Sequence, residues 1–308
     1  MKKMFVGIAS MMVFFVSAQD INSIVNAKEV ERIEKTLAAN DMQGRRTFTP
    51  GIEKAAAFIS EEFKKTGLQT WKNSDTYLQA FAMVKPKFVG LTCSFNDQVV
   101  DTKEVIVITC QTDLTVTEKS GYERATIAAG ANLFSEASKF IQSGKNVLVI
   151  VDTSLAKNFR RLTSLKRQLF KANNSVLFVL GTAQPKTFTI NAKHEFLEQQ
   201  LANVIGVIPG KSKPNEYVLF SGHYDHLGIG KAVNNDSIYN GANDDAAGTT
   251  AMMMLAKYFK AKNDNERTLV FVAFTAEEVG GFGAQYCSRQ FNPDQVIAMF
   301  NIEMIGTE

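Results

Sequence analysis

The chain has 308 residues, 45% of them apolar and 21% charged. That is an ordinary globular balance, with room for one large domain or two smaller ones. Its formal charge is +3, and without Lys2 and Lys3 the remaining 32 basic residues face 31 acidic ones, which argues against nucleic acid or a polybasic membrane partner.

The first residues read as an export signal. Lys2 and Lys3 form a basic start, Met4 to Val16 is an apolar run too short to span a bilayer, and Val16-Ser17-Ala18 offers a cleavage site. A signal peptide is expected at 1–18, with Gln19 as the mature start. No second run reaches bilayer length, so the expected product is exported, to the periplasm or the medium, with no stable membrane span. Cys93, Cys110 and Cys287 are too few and too scattered for a disulfide scaffold or a CxxC metal knot. Cys93 and Cys110 lie in neighbouring strand-like runs and are the candidates for a single bond.

The spacing of Ile21, Ile24, Val25, Val30, Ile33 and Leu37 predicts an amphipathic helix over 21–39. A polar turn follows at 40–46. Thr49 is placed to cap a second helix that opens at Pro50 and ends at Gly67, with Ala55, Phe58, Ile59 and Phe63 as its buried face. Strands are predicted at 78–84, 87–94 and 104–109. A helix at 131–142, a strand at 146–151, a basic helix at 155–172 and a strand at 175–180 come next. The basic helix reads as a solvated face, with a binding face as the alternative. Residues 86–197 are expected to form a separate inserted lobe.

A helix is predicted near 194–202. Then a regular α/β pattern begins, with strands at 203–209, 216–224, 268–275 and 296–303 and helices at 245–261 and 281–290. The strand runs are nearly all apolar, as in a sheet covered on both faces. The expected fold class is α/β: a mixed, mostly parallel central sheet with helices on both faces.

Four short motifs sit at the ends of these runs. Ser221-Gly222-His223-Tyr224-Asp225 ends the second strand. His223 and Asp225 are two apart and project to one side in extended backbone. A metal-bound imidazole commonly gives its other nitrogen to a carboxylate, although Asp225 serves equally as a loop support. Gly241-Ala242-Asn243-Asp244-Asp245 opens the long helix, where paired acids either cap the helix or bridge cations. Glu277 and Glu278 leave the Leu269–Phe274 run and are either a surface turn or a metal ligand beside a general base. Asn301-Ile302-Glu303-Met304 places another acid beyond the last strand. Each motif alone is weak; together they put acids or histidine at one sheet edge.

These motifs, as His223-Tyr224-Asp225-His226-Leu227-Gly228, Gly241 to Gly248, Ala276-Glu277-Glu278 and Asn301-Ile302-Glu303-Met304, make the chain resemble metallopeptidase family twenty-eight. That family comprises di-zinc aminopeptidases that share their fold with glutamate carboxypeptidase and glutaminyl cyclase. The resemblance is close over 200–308 and loose over 20–75, including Gly44-Arg45-Arg46. It implies a zinc aminopeptidase-like fold, incomplete at the C-terminus, divided into 19–85 and 198–308 around a protease-associated-like lobe at 86–197. It implies two zinc ions acting on peptide substrates: His223, Asp244 and Glu303 as ligands of one, Asp244 and Glu278 as ligands of the other. Glu277 becomes the general base acting on a water held between the ions, and Asp225 orients His223. Glu303 stands where the family commonly has Asp.

The family's last ligand, a histidine on a later strand and loop, has no match in this sequence. His194 is far upstream, and His226 reads as a loop stabiliser beside the first ligand. The expectation is the front part of a longer enzyme. The alternatives are a one-zinc glutaminyl cyclase-like enzyme, an inactive remnant, or a binding module built on the inserted lobe. Oligomeric state is not legible.

Overall fold

A computed structural model describes residues 21–306. The expected signal peptide lies outside the described residues. Among the described residues no helix is long and apolar enough to cross a membrane. The chain divides into two compact units, one formed by the residues up to Gln79 with those from Ala202 onward, the other by Ala80–Leu201.

In the first unit the strand order is Val296–Asn301, Lys213–His223, Arg267–Phe274, then the end of Phe188–Ile208. The sheet is mixed. Lys213–His223 runs parallel to both neighbours, with His223 beside Phe274 and Ser221 beside Asn301. Val204 to Ile208 pair antiparallel with Ala273 to Leu269, and Gln69–Thr70 pairs antiparallel on the outer side. Alternate residues of Arg267–Phe274 serve two cores, as the two-residue strand period requires. Leu269, Phe271 and Ala273 meet Met252, Met253, Met254 and Ala256 of the helix Gly248–Lys262. Val270, Val272 and Phe274 meet Ile205, Val207, Leu219 and Cys287 on the other face. Phe220 stacks between Phe271 and Phe300 at centroid distances of 5.4 and 5.3 Å. These offset ring contacts pin the register of three strands.

Helix Pro50–Thr66 starts and stops as its sequence predicts, with Gly67 left-handed at its end. Thr49 occupies the cap position, but its hydroxyl donates to the Arg46 carbonyl rather than accepting a helix N–H. The 21–39 helix is interrupted: Asn26 caps a new start at Ala27 by accepting from Glu29 N at 3.0 Å.

The second unit has a four-stranded sheet ordered Val105–Ile108, Val176–Leu180, Val147–Val151, Glu123–Ile127, with the helix Leu133–Gln142 packed on it. The runs expected at 78–84 and 87–94 are one strand, Leu78–Phe95. Two predictions here need correction. The 155–172 helix is one α-turn, Ala156–Phe159, followed by a 3-10 segment, Arg160–Lys166. Phe159, Leu162 and Leu165 pack inward at intervals of three, the period of the 3-10 form. The 194–202 helix is part of the long strand Phe188–Ile208, because Phe188, Ile190, Ala192 and His194 alternate inward with exposed Asn191, Lys193 and Glu195. Cys93, Cys110 and Cys287 are all free thiols.

Candidate metal centre

Parallel pairing fixes where the site lies. Because Lys213–His223 has a parallel partner on each side, all three strands deliver their C-terminal ends to one edge, where open α/β sheets place their sites. The first strand delivers His223, the second delivers Glu277 and Glu278, and the third delivers Glu303.

His223 is 3% exposed, and its Nε2 lies 2.9 Å from Asp244 Oδ1. Its Nδ1 lies 3.1 Å from the Asp225 carbonyl and 3.7 Å from the Asp225 carboxylate. Burial pushes the His223 pKa down, but the Asp225, Asp245 and Asp244 carboxylates outweigh it and lift it to about 9. Asp225 is fully buried. Its two carboxylate oxygens accept from Glu277 N at 3.1 Å and Glu278 N at 3.3 Å, so it clamps the turn carrying both glutamates to the end of the histidine strand.

The paired acids at 244–245 divide two tasks. Asp245 is buried and accepts from His223 N, Gly248 N and Met304 N at 3.1–3.2 Å. Burial raises its pKa to about 6 against those donors and His223. Asp244, half-buried, is left free to face His223. The regular helix begins only at Gly248, three residues later than its sequence predicts, and the 244–245 peptide bond is cis.

Glu278 Oε1 lies 2.9 Å from His226 Nδ1. His226, Asp244 and Glu278 each offer a ligand atom, and all three atoms lie within 4.8 Å of one another. His226 is 9% exposed. Glu277 is an exposed residue with a crowded carboxyl. Partial burial raises its pKa, as do Asp225, Glu278 and Glu303, while His223 opposes them. Glu303 is exposed and accepts from Asn301 Nδ2 at 2.6 Å; among the described residues it forms no ion pair with His223.

Sequence reasoning missed Arg45 and set His226 aside. Arg45 is fully buried and donates to the carbonyls of Leu37, Tyr224, Asn240 and Gly241. It therefore joins the loop after His223 to the loop before Asp244. Burial lowers its pKa to about 10, with Asp225, Asp245 and Asp244 acting in opposition. Gly44 before it has φ +62°, and a Cβ there would lie 2.4 Å from the Tyr239 carbonyl. The Gly44-Arg45 pair was the available signal.

Residues 203–308 match the model of peptidase family M28. A probable zinc metalloprotease of Pyrenophora teres f. teres is 32% identical over 109 residues, 35% of this chain and 22% of that protein. Aminopeptidase YwaD of Bacillus subtilis is 27% identical over 216 residues, 69% of this chain and 42% of that protein. The solved aminopeptidase from Aneurinibacillus sp. strain AM-1 has a TM-score of 0.49 at 18% identity, covering 94% of this chain and 72% of that one. The chain thus spans less than half the length of these curated relatives. The similarity to peptidase family M28 is thus carried by residues 203–308.

Proposed function

We propose that this protein is a zinc-dependent aminopeptidase that releases N-terminal residues from peptides. One observation carries the reading: Asp244 Oδ1 lies 2.9 Å from His223 Nε2 and its carboxylate lies within 4.8 Å of ligand atoms of His226 and Glu278, while the charges of His223 and Glu278 both act on Glu277. Imidazole nitrogens with carboxylate oxygens are a zinc donor set. Asp225, Asp244, Asp245, Glu277, Glu278 and Glu303 crowd one sheet edge near the Arg45 guanidinium and the imidazoles. Divalent cations offset that excess of negative charge.

His223, Asp244 and Glu303 would hold one ion, and Asp244 and Glu278 the other. Zinc, when bound, supplies carbonyl polarisation and acidification of the attacking water. Glu277 takes the proton from that water and passes it to the leaving amine, and its raised proton affinity suits both transfers. Asp225 keeps Glu277 in place through the clamp on its backbone N–H. The names of the relatives, zinc metalloprotease and aminopeptidase, support the same activity. The basic start and apolar run of residues 1–18 support export.

The test compares hydrolysis of an aminoacyl p-nitroanilide and its N-acetylated form by the zinc-loaded protein. Hydrolysis of the free-amine substrate alone is expected, and Glu277→Gln lowers it by about 100-fold or more at unchanged zinc content. Equal hydrolysis of the acetylated substrate, or full activity in Glu277→Gln, contradicts the reading.

A further inference from the structure

Pairing between the strands Phe188–Ile208 and Arg267–Phe274 ends at Val204 and Ala273. Asn203, the next residue outward, is fully buried, and its side chain takes over where the ladder stops. Its Oδ1 accepts from Thr275 N at 3.1 Å, and its Nδ2 donates to the Gly283 carbonyl at 2.9 Å and to Gln79 Oε1 at 2.7 Å. We propose that Asn203 is a positioning residue for Glu277, fixing the root of the turn that carries the general base. This inference rests on the aminopeptidase reading above.

Thr275 and Gly283 are the two ends of that turn. Gly283 N donates to the Thr275 carbonyl and Phe282 N to the Ala276 carbonyl, while Gly280 N and Gly281 N both donate to the Glu277 carbonyl, all at 2.9–3.1 Å. The turn is thus a closed unit that follows its root. Asp225 holds its top at Glu277 N and Glu278 N, and Asn203 holds its base. Gly283 makes room for this contact, since a Cβ there would lie 2.3 Å from Asn203 Oδ1.

The preceding residue anchors the histidine side. The hydroxyl of Tyr224, which stands between His223 and Asp225 in the chain, donates to the Ala202 carbonyl at 2.5 Å. One dipeptide, Ala202-Asn203, therefore sets the histidine strand and the glutamate turn against each other. An amide is required at 203: Thr275 N is an obligatory donor and the Gly283 carbonyl an obligatory acceptor. A carboxylate of the same size keeps the first bond and repels the second oxygen.

The test measures steady-state kinetics of the full chain in excess zinc on an aminoacyl p-nitroanilide. The variants are Asn203→Asp, Gln79→Ala, which removes one partner of the amide at a half-buried residue, and each of these combined with Glu277→Gln. Asn203→Asp is expected to lower kcat by about 10–100-fold with KM within about 2-fold of wild type, the signature of a misplaced catalytic group. Gln79→Ala is expected to lower kcat by about 3-fold. In the Glu277→Gln background neither change lowers the residual rate further, because the group they position is gone. A residue with only a folding role lowers the rate by the same factor in both backgrounds, and that result overturns the inference, as does a wild-type kcat in Asn203→Asp. Should Asn203→Asp not fold, Gln79→Ala decides by the same comparison. An inactive wild type overturns the aminopeptidase reading and this inference together, whereas an active wild type with independent losses overturns only the role of Asn203.

Discussion

His194 and His223 are both almost fully buried, one in each compact unit, and their surroundings shift their pKa values in opposite directions. In the second unit His194 lies against the rings of Phe88 and Phe196, and its Nδ1 has no hydrogen-bond partner among the described residues. Burial, aided by the charge of Lys166, lowers its pKa to about 4. In the first unit His223 is ringed by Asp225, Asp244 and Asp245, and its pKa rises to about 9. Burial alone favours the neutral imidazole; converging carboxylates favour its proton. The first unit gathers acids at its parallel strand ends, whereas the buried strands of the second unit are apolar.

The strongest way to break this contrast is Asp244→Asn. The carboxylate shared by both clusters is lost, and cation binding should fall at both positions in a calorimetric titration. Loss at one position only would mean Asp244 does not bridge. Arg45→Ala comes next. It strands the carbonyls of Leu37, Tyr224, Asn240 and Gly241, and should lower unfolding free energy by about 3–5 kcal/mol in denaturant melts. A loss under about 1 kcal/mol would show that water replaces the guanidinium.

His194 sharpens the second half of the comparison. Its folded pKa lies below the ordinary 6.5, so the unfolded chain binds a proton there that the folded chain resists. The stability it contributes is complete above about pH 6.5 and is lost as pH falls toward 4. His194→Phe should flatten stability over that window, measured by melts at successive pH values; an unchanged slope would place the imidazole in water. The smallest effect is expected at Glu195→Ala. Its ion pair with Lys87 is exposed on both sides, and such pairs are nearly neutral. A measurable fall in melting temperature would contradict that.

Much of the site was legible because the signals are local. An apolar run closed by His223, by Glu277-Glu278 or by Asn301-Ile302-Glu303 marks a buried strand that delivers a polar group to its end. What was illegible depends on distant partners. The Gly44-Arg45 pair marks a special position, but not that Arg45 will reach carbonyls at 224, 240 and 241. His226 reads as a spectator until Glu278 and Gly241 fold against it. Asp245 reads as the twin of Asp244 until its three backbone donors separate them. The stretch His194-Glu195-Phe196-Leu197-Glu198-Gln199-Gln200-Leu201 is rich in helix-forming residues, yet strand pairing and the alternate burial of Ala192 and His194 override it.

The most direct measurement is anomalous diffraction at the zinc edge from crystals of the full chain soaked in zinc. Two adjacent peaks are expected, one contacting His223 and Asp244, the other contacting Asp244 and Glu278. Density at His223 alone, or two peaks that do not share Asp244, would contradict the account.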